Sequence, residues 1–309
     1  MLSLGVENSK LLKYMKQFLS LLLYGIALMT CAQQVTVLER TRLLQGVEGP
    51  AYYPVLNADG SQLLFSSGEQ NGLKLYTYDD NVVTRISDEA GAGIDALWGG
   101  DGRVYYVTQE RRANNLVYRT GHCYDLATAR SIVVLEAQHG AVRPMLASRG
   151  AALRGNVSYT SARNLGVAVT TEGSEVVLNV NGQERRFSPV ESHAGYLWAS
   201  LSPDGMRIAF FAAGTGVIVM DLEGKVLAQL GNYEMPCWYD DDYIVAQHAT
   251  DDGHQFTSSQ IVLLKVDGSF AYELTRPTSM TMQPTAGGGK IVYTTIDGQL
   301  HQMRIQIKP

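Results

Sequence analysis

The sequence is poor in the residues on which most site chemistry depends. Only 3 of its 309 residues are cysteine, too few for the disulfide framework of a small secreted scaffold. Two of these, Cys123 and Cys237, fall in strand-like contexts and read as buried free thiols. The 6 histidines, His122, His139, His193, His248, His254 and His301, include no pair spaced as in H-E-x-x-H. No D-x-D-x-D-G calcium loop is present, so no metal and no other cofactor is expected. A G-x-S-x-G elbow and a hydrolase domain to carry it are missing too. Charged residues make up 18% of the chain and the formal net charge is −5, without a Lys/Arg stripe, which excludes nucleic acid as a partner. No stretch is long and apolar enough for an ordinary membrane span, so no transmembrane helix is expected in the mature chain.

The most apolar run is short and amino-terminal. Lys10, Lys13 and Lys16 precede Phe18 to Met29, and Thr30-Cys31-Ala32 supplies small residues for an A-x-A-like cleavage. Residues 1–32 therefore read as an export signal with a mature start at Gln33, and Met15 would itself begin a compact version of it. A periplasmic or secreted address follows. Lipidation of Cys31, making an outer-membrane lipoprotein, is the disfavoured alternative, because Thr30 stands where such sites carry Gly, Ala or Ser.

What the chain has in quantity is glycine, 31 residues, and tyrosine, 17, in short β-rich runs broken by tight turns. The clearest unit is LWASLSPDGMRIAFFAAGTGVIVMDLEGKVLAQL, Leu197 to Leu230. It holds four strand signals and a Ser-Pro-Asp-Gly turn. Its flat apolar faces need neighbours to cover them, and similar units recur. Turn anchors at Asp59, Asp101, Arg149, Asp204, Asp241 and Gly289 are spaced by 42, 48, 55, 37 and 48 residues, about the roughly 40–50-residue period of a four-stranded propeller blade. Before each anchor runs a column of Pro54, Ala96, Pro144, Ala199, Pro236 and Pro284. Two residues beyond it comes the apolar column Leu56, Trp98, Leu146, Leu201, Trp238 and Ala286, expected between blades. In the third copy NVSYT, LGVAVTT and EVVLNVNGQERRF are expected as the strands after the first. The last copy is one strand short after Gln299 to Ile307, and Val35 to Glu39 is expected to pair onto it and close the ring.

These motifs, YPVLNADGSQLLFSS…LYTYD, LSPDGMRIAFFA…IVMD and CWYDDDYIVAQ…IVLLKVDGSFAYELT, resemble the WD40-like repeat of TolB-type six-bladed β-propellers. The resemblance covers essentially residues 33–309 and implies an all-β chain forming a single six-bladed propeller domain. It also implies an envelope adaptor that binds partner proteins, although the α/β domain that precedes the propeller in TolB has no counterpart here. The third and sixth copies depart from the pattern, with Arg149-Gly150 and Gly287-Gly288-Gly289 where Asp-Gly is usual.

Candidate site residues follow from the repeat. Those just before the proline column, Tyr53, Asp95, Arg143, Trp198, Met235 and Gln283, are expected to ring one mouth of the central channel. The polar stretch Thr250 to Ser259 reads as a long loop on the same rim, bringing Asp251, Asp252 and His254, with His248 just before it. Asp240-Asp241-Asp242 reads as a solvated turn. Such a mouth suits a protein, peptide or glycan partner, and the reading favoured is a non-catalytic binding scaffold. The alternative is a carbohydrate-active hydrolase or lyase with Asp95, His248 and Asp252 as first suspects.

Overall fold

The computed structural model describes residues 33–46, 49–147, 150–154, 159–160, 166–191 and 194–308. The export signal read at residues 1–32 lies outside the described residues, as does the Arg149 anchor. Contacts set Val37–Ile305 apart as a large compact unit; of the other described residues, 33–36 and 306–308 belong to a second, small unit. In the small unit, residues 34–36 and 306–308 are in strand conformation.

The elements are strands and two single-turn 3-10 segments. β1 (Gln34–Arg42) opens the described chain. Blade 1 follows as β2 (Tyr52–Leu56), β3 (Gln62–Ser66), β4 (Leu73–Thr77) and β5 (Val82–Ser87). Blade 2 is β6 (Leu97–Trp98), β7 (Val104–Arg111), β8 (Val117–Asp125) and β9 (Arg130–His139). Blade 3 has six strands, β10 (Arg143–Ala147), β11 (Gly150–Arg154), β12 (Tyr159–Thr160), β13 (Val167–Glu172), β14 (Glu175–Val180) and β15 (Gln183–Phe187). Blade 4 is β16 (Tyr196–Leu201), β17 (Arg207–Ala212), β18 (Gly216–Asp221) and β19 (Val226–Gly231). Blade 5 is β20 (Glu234–Trp238), β21 (Tyr243–Asp251), β22 (Phe256–Lys265) and β23 (Ala271–Glu273). Blade 6 is β24 (Thr281–Gly287), β25 (Lys290–Thr295) and β26 (Leu300–Lys308). All pairings described are antiparallel, and the six sheets form a six-bladed propeller, with the first strand innermost in every blade but blade 3.

Burial explains why the repeat reads as it does. The two middle strands of a blade are covered on both faces by its neighbours, so they are apolar without alternation. β17 is buried from Ile208 to Ala212 and β18 from Gly216 to Met220. Ile208, Phe210, Ile218 and Met220 pack against Val169, Val176 and Leu178 of blade 3. On the opposite face Ala209 and Val219 meet Trp238, Ile244 and Val262 of blade 5. The outermost β19 alternates instead, because only one of its faces is sealed. The apolar column lies at these interfaces: Leu56, Trp98, Leu201 and Trp238 are buried and Ala286 is half-buried. Its two tryptophans also stitch blades together. Trp98 Nε1 donates to Val55 O of blade 1 at 3.0 Å and Trp238 Nε1 to Ser200 O of blade 4 at 3.3 Å. Cys123 is buried, Cys237 half-buried, and both are free thiols.

Ring closure follows the sequence expectation. The order of the last sheet is β1-β26-β25-β24, so the amino-terminal strand is its outermost member. Leu43 N continues the pairing by donating to Leu300 O at 2.9 Å. Blade 6 is tied to blade 1 by Ala51 N to Gly298 O at 2.8 Å and Thr294 Oγ1 to Ala51 O at 2.9 Å.

Blade 3 corrects the sequence reading. Its sheet order is β12-β11-β10-β13-β14-β15, so the segment after the first strand does not become the second. Ala147 pairs with Gly150, and β11 lies along the inner edge of β10. The second strand is Val167–Glu172, and EVVLNVNGQERRF is not one strand but two. Asn181 and Gly182 both have positive φ, 52° and 89°, giving the hairpin turn that Asn-Gly favours.

The glycine triplet of blade 6 has a packing cause. Gly288 N donates to Ala58 O of blade 1 at 3.0 Å, and a Cβ on Gly288 would overlap the Asp59 carbonyl, whereas one on Gly289 would meet nothing within 4 Å. Both residues have positive φ. Gly289→Ala should therefore lose only the left-handed backbone preference, about 1–2 kcal/mol. Gly288→Ala should lose that and a further 1–3 kcal/mol, roughly, for displacing the neighbouring turn. Urea unfolding of the two variants measures the difference, and equal losses would remove the close approach as the reason for the triplet.

Candidate functional site

The innermost strand of a blade has a partner on one side only, and in this chain that strand is irregular at a repeated place. The pairing register slips between Tyr52 and Val55, between Leu197 and Ser200, between Glu234 and Cys237, and between Met282 and Thr285. Each slip is a β-bulge. Proline is tolerated within a strand mainly at bulges and edges, where its missing N–H breaks no ladder, and Pro54, Pro236 and Pro284 stand inside three of these four. The residue before the proline column is left-handed: φ is 52° at Tyr53, 55° at Trp198, 50° at Met235 and 55° at Gln283. Asp95, just ahead of β6, has φ 51°. Five of the twelve non-glycine residues with positive φ among the described ones thus occupy equivalent places. A left-handed conformation costs an L-residue about 1–2 kcal/mol.

The blades share one direction, so these residues share one end of the inner strands. Gln283 Oε1 accepts from Tyr53 N at 2.8 Å, and Gln283 N in turn donates to Gln247 Oε1 at 3.1 Å. The amide side chain of one blade thereby satisfies the bulged backbone of the next. Trp198 is 38% exposed and packs its ring at 5.4 Å from that of Phe211. Met235 is half-buried and Asp95 exposed. Arg143 is the first residue of β10, paired through its backbone with Arg154.

The loop expected from Thr250 to Ser259 is shorter than the sequence suggests. β21 and β22 stay paired as far as Asp251 and Phe256, leaving only residues 252–255 as a turn. Asp252 Oδ1 accepts from His254 N and Gln255 N, both at 2.9 Å, and Asp251 Oδ1 from Gly253 N at 2.8 Å. These backbone donors hold the Asp252 carboxyl below its ordinary range. Asp252 and His254 thus belong to the tip of a projecting hairpin, engaged in their own turn. Blade 2 carries a counterpart, β7–β8, paired out to Arg111 and Val117.

His248 lies nearer the mouth, half-buried, with the Tyr233 ring edge-on at 5.2 Å and Gln260 Nε2 at 3.4 Å from its Nδ1. Beside it is a residue that the sequence reading passed over. Glu234, next to Met235, has its carboxyl pushed above the ordinary range, chiefly by burial and further by the Asp251 charge, while His248 opposes the shift. Its signal in the sequence was its place, one residue ahead of the column. Asp240 and Asp241 are also more than a solvated turn: Asp240 Oδ1 accepts from Asp242 N and Tyr243 N, and Asp241 Oδ1 accepts from Asp204 N of blade 4 at 2.9 Å. Among the described residues no group of three or more His, Cys, Asp or Glu is arranged to hold a metal ion. No helix among them is long and apolar enough to cross a membrane.

Six antiparallel sheets in a ring, with the amino-terminal strand taken into the last, define the class of the molecule: a TolB-like six-bladed β-propeller fold. Solved structures agree with it. TolB from Acinetobacter baumannii superposes with a TM-score of 0.53 at 16% identity, over 77% of this chain and 57% of that one. The chain thus spans little more than half of that protein. Virginiamycin B lyase from Staphylococcus aureus, a catalytically inactive form with quinupristin, gives 0.51 at 11% identity over 88% and 99% of the two chains. A chain of the mitotic checkpoint complex gives 0.55 at 10% identity over 87% and 95%. No protein-family model matches the sequence, and no curated protein matches it.

The Glu234 shift has a testable sign. A carboxyl whose folded value is raised favours the folded state when protonated, and that contribution is lost as pH rises through the folded value. Glu234→Gln, which keeps the shape and removes the charge, should raise the thermal midpoint at pH 7. The gain should vanish below about pH 4, where the glutamate is protonated in both states. A gain independent of pH would mean that the Glu234 charge is not the cause.

Proposed function

We propose that this chain is an exported, non-catalytic propeller that binds a protein or peptide partner at the channel mouth. The observation that carries the reading is the recurrence of a left-handed, non-glycine residue at one place in five blades. Glycine would fit that backbone at no cost, and the chain uses glycine freely in its turns. Retaining Tyr53, Asp95, Trp198, Met235 and Gln283 there puts unlike side chains around one opening, and backbone strain of this kind clusters at binding sites. The exported address rests on the leader pattern of residues 1–32, with periplasm or secretion as its destination. A glycan is the remaining partner class that such a polar and aromatic rim suits. Neighbours of the fold include a component of a multiprotein complex and a lyase holding quinupristin, so the fold itself serves both binding and catalysis.

One observation favours a second reading, hydrolase or lyase chemistry at the same mouth. A carboxyl raised by burial, Glu234, coupled to His248 and Asp251, has the character of a general acid. Asp252, committed to its turn, is the weaker suspect.

The test compares Trp198→Gly and Met235→Gly with a variant at the opposite end of the blades, Lys265→Ala. Both glycine variants should hold their thermal midpoint within a few degrees, because relief of strain offsets lost contact. Partner recovery from envelope extract should fall in both and persist in Lys265→Ala. Recovery that persists in the mouth variants would move the binding surface elsewhere. Mass spectrometry of the native amino terminus should find Gln33 at or near the start; an intact Met1 or Met15 would overturn the exported address.

A further inference from the structure

Blade 2 carries a cavity that the repeat pattern does not account for. It measures about 360 Å³ and is lined by residues of three segments. One wall is the connection entering the blade, Gly91, Ile94 and Asp95, held by Ile94 N to Gly91 O at 2.9 Å and by Gln109 N to Ala90 O at 2.8 Å. The facing wall is the connection leaving it, Gly140 to Val142. Between them the β7–β8 hairpin contributes Val107, Gln109 and Arg119. Val107 and Val142 belong to a small apolar cluster with Leu135.

The chemistry of this lining is specific. Arg119 is half-buried, and its Nη1 donates to Gly140 O at 2.9 Å, which fixes the guanidinium at the rim. Among the described residues it has no carboxylate partner, although a guanidinium has five donors and pairs a carboxylate through two of them at once. Beside that cation lie Ile94, Val107, Ala141 and Val142, which call for an apolar group within a few ångströms of the anion. An aspartate or glutamate side chain brings a carboxylate without such a group. In a polypeptide the two occur on one residue only at the free C-terminus.

We propose that this cavity receives the C-terminal residue of the peptide partner, its apolar side chain against Ile94, Val107 and Val142 and its α-carboxylate on Arg119. The Gln109 amide, on the same lining, offers an acceptor for the terminal residue's backbone N–H. The cavity volume suits one large aliphatic or aromatic residue with its backbone. The inference rests on the reading of the mouth as a binding face and deepens it, since Asp95 belongs to both.

The experiment uses the chain with its native amino terminus and an N-terminally fluorescein-labelled peptide of five alanines followed by leucine, read by anisotropy. The free-acid peptide should bind. Its C-terminal amide, and the same peptide ending in aspartate, should bind weaker by roughly tenfold or more, the scale of a charge-assisted hydrogen bond. Arg119→Gln should weaken the free-acid peptide by a similar factor and leave the amide peptide unchanged. The comparison of acid with amide on the unaltered protein needs no variant, so it stands even where Arg119→Gln fails to fold. Equal binding of acid and amide, or binding of neither, overturns the proposal. Competition by free leucine as strong as by the peptide overturns it in favour of an amino-acid site. Failure of every peptide, while Trp198→Gly still loses its partner, sinks this inference and leaves the mouth reading intact.

Discussion

Each blade presents to the channel a strand with one neighbour only, and much of the molecule answers to that free edge. An unpaired edge exposes backbone donors and acceptors and invites another strand. Here the edge is broken by a bulge, and proline at Pro54, Pro236 and Pro284 removes a donor that would otherwise face the channel. Where a donor remains, the neighbouring blade supplies an acceptor: Gln283 for Tyr53 N and Gln247 for Gln283 N. Blade 3 solves the same problem differently. Its inner edge is covered by β11, which pairs along β10 from Gly150 to Arg154. The outermost edge of blade 6 is occupied by β1.

This constraint explains what was legible in the sequence. Proline inside an otherwise strand-like run marks an inner edge, and the apolar residue two positions on marks a blade interface. Both are local, so six copies could be counted and the closing strand found. The third blade was misread because a tight hairpin can place its second strand on either side of the first: Ala147 paired with Gly150 leads inward, whereas in blade 6 the equally short hairpin of Gly287 with Lys290 leads outward. Nothing in the segment Gly150 to Arg154 itself tells which side of β10 it joins. The Gly287-Gly288-Gly289 departure was visible but not interpretable, because its cause is the turn of another blade, Ala58 and Asp59, more than two hundred residues away. Glu234 was missed for the same reason: its surroundings, His248 and Asp251, come from the neighbouring strand.

Residues that repeat build the ring, and residues that break the repeat give it an identity. Blades 2 and 5 lie opposite one another in a six-membered ring, and both extend their middle hairpin well past the inner strand. The blade 2 hairpin bears Glu110, Arg111, Arg112 and Arg119; that of blade 5 bears Asp251 and Asp252. The mouth is therefore flanked by a basic and an acidic arm. A polypeptide, which carries both signs of charge, meets a complementary field in one orientation and an opposing one in the other. For the polypeptide partner proposed above, such asymmetry would favour one direction of binding over the other, a property that identical blades could not provide.

The strained residues can be sorted by what holds them. Five left-handed residues at about 1–2 kcal/mol each represent a large share of the 5–15 kcal/mol by which a domain is usually stable. For Gln283 the structure gives a return, since its side chain satisfies the bulge of blade 1. For Tyr53 the backbone is the group served, and its ring is free to vary without disturbing that bond. Trp198 rests on Phe211 yet leaves more than a third of its surface open, at a backbone position that glycine alone would take without strain. Met235 sits between the mouth and Glu234, and Asp95 on the rim of the blade 2 cavity. Packing alone accounts for Gln283 and not for Trp198, which is the pattern expected if, as proposed, some side chains of the mouth serve a partner and others serve the ring.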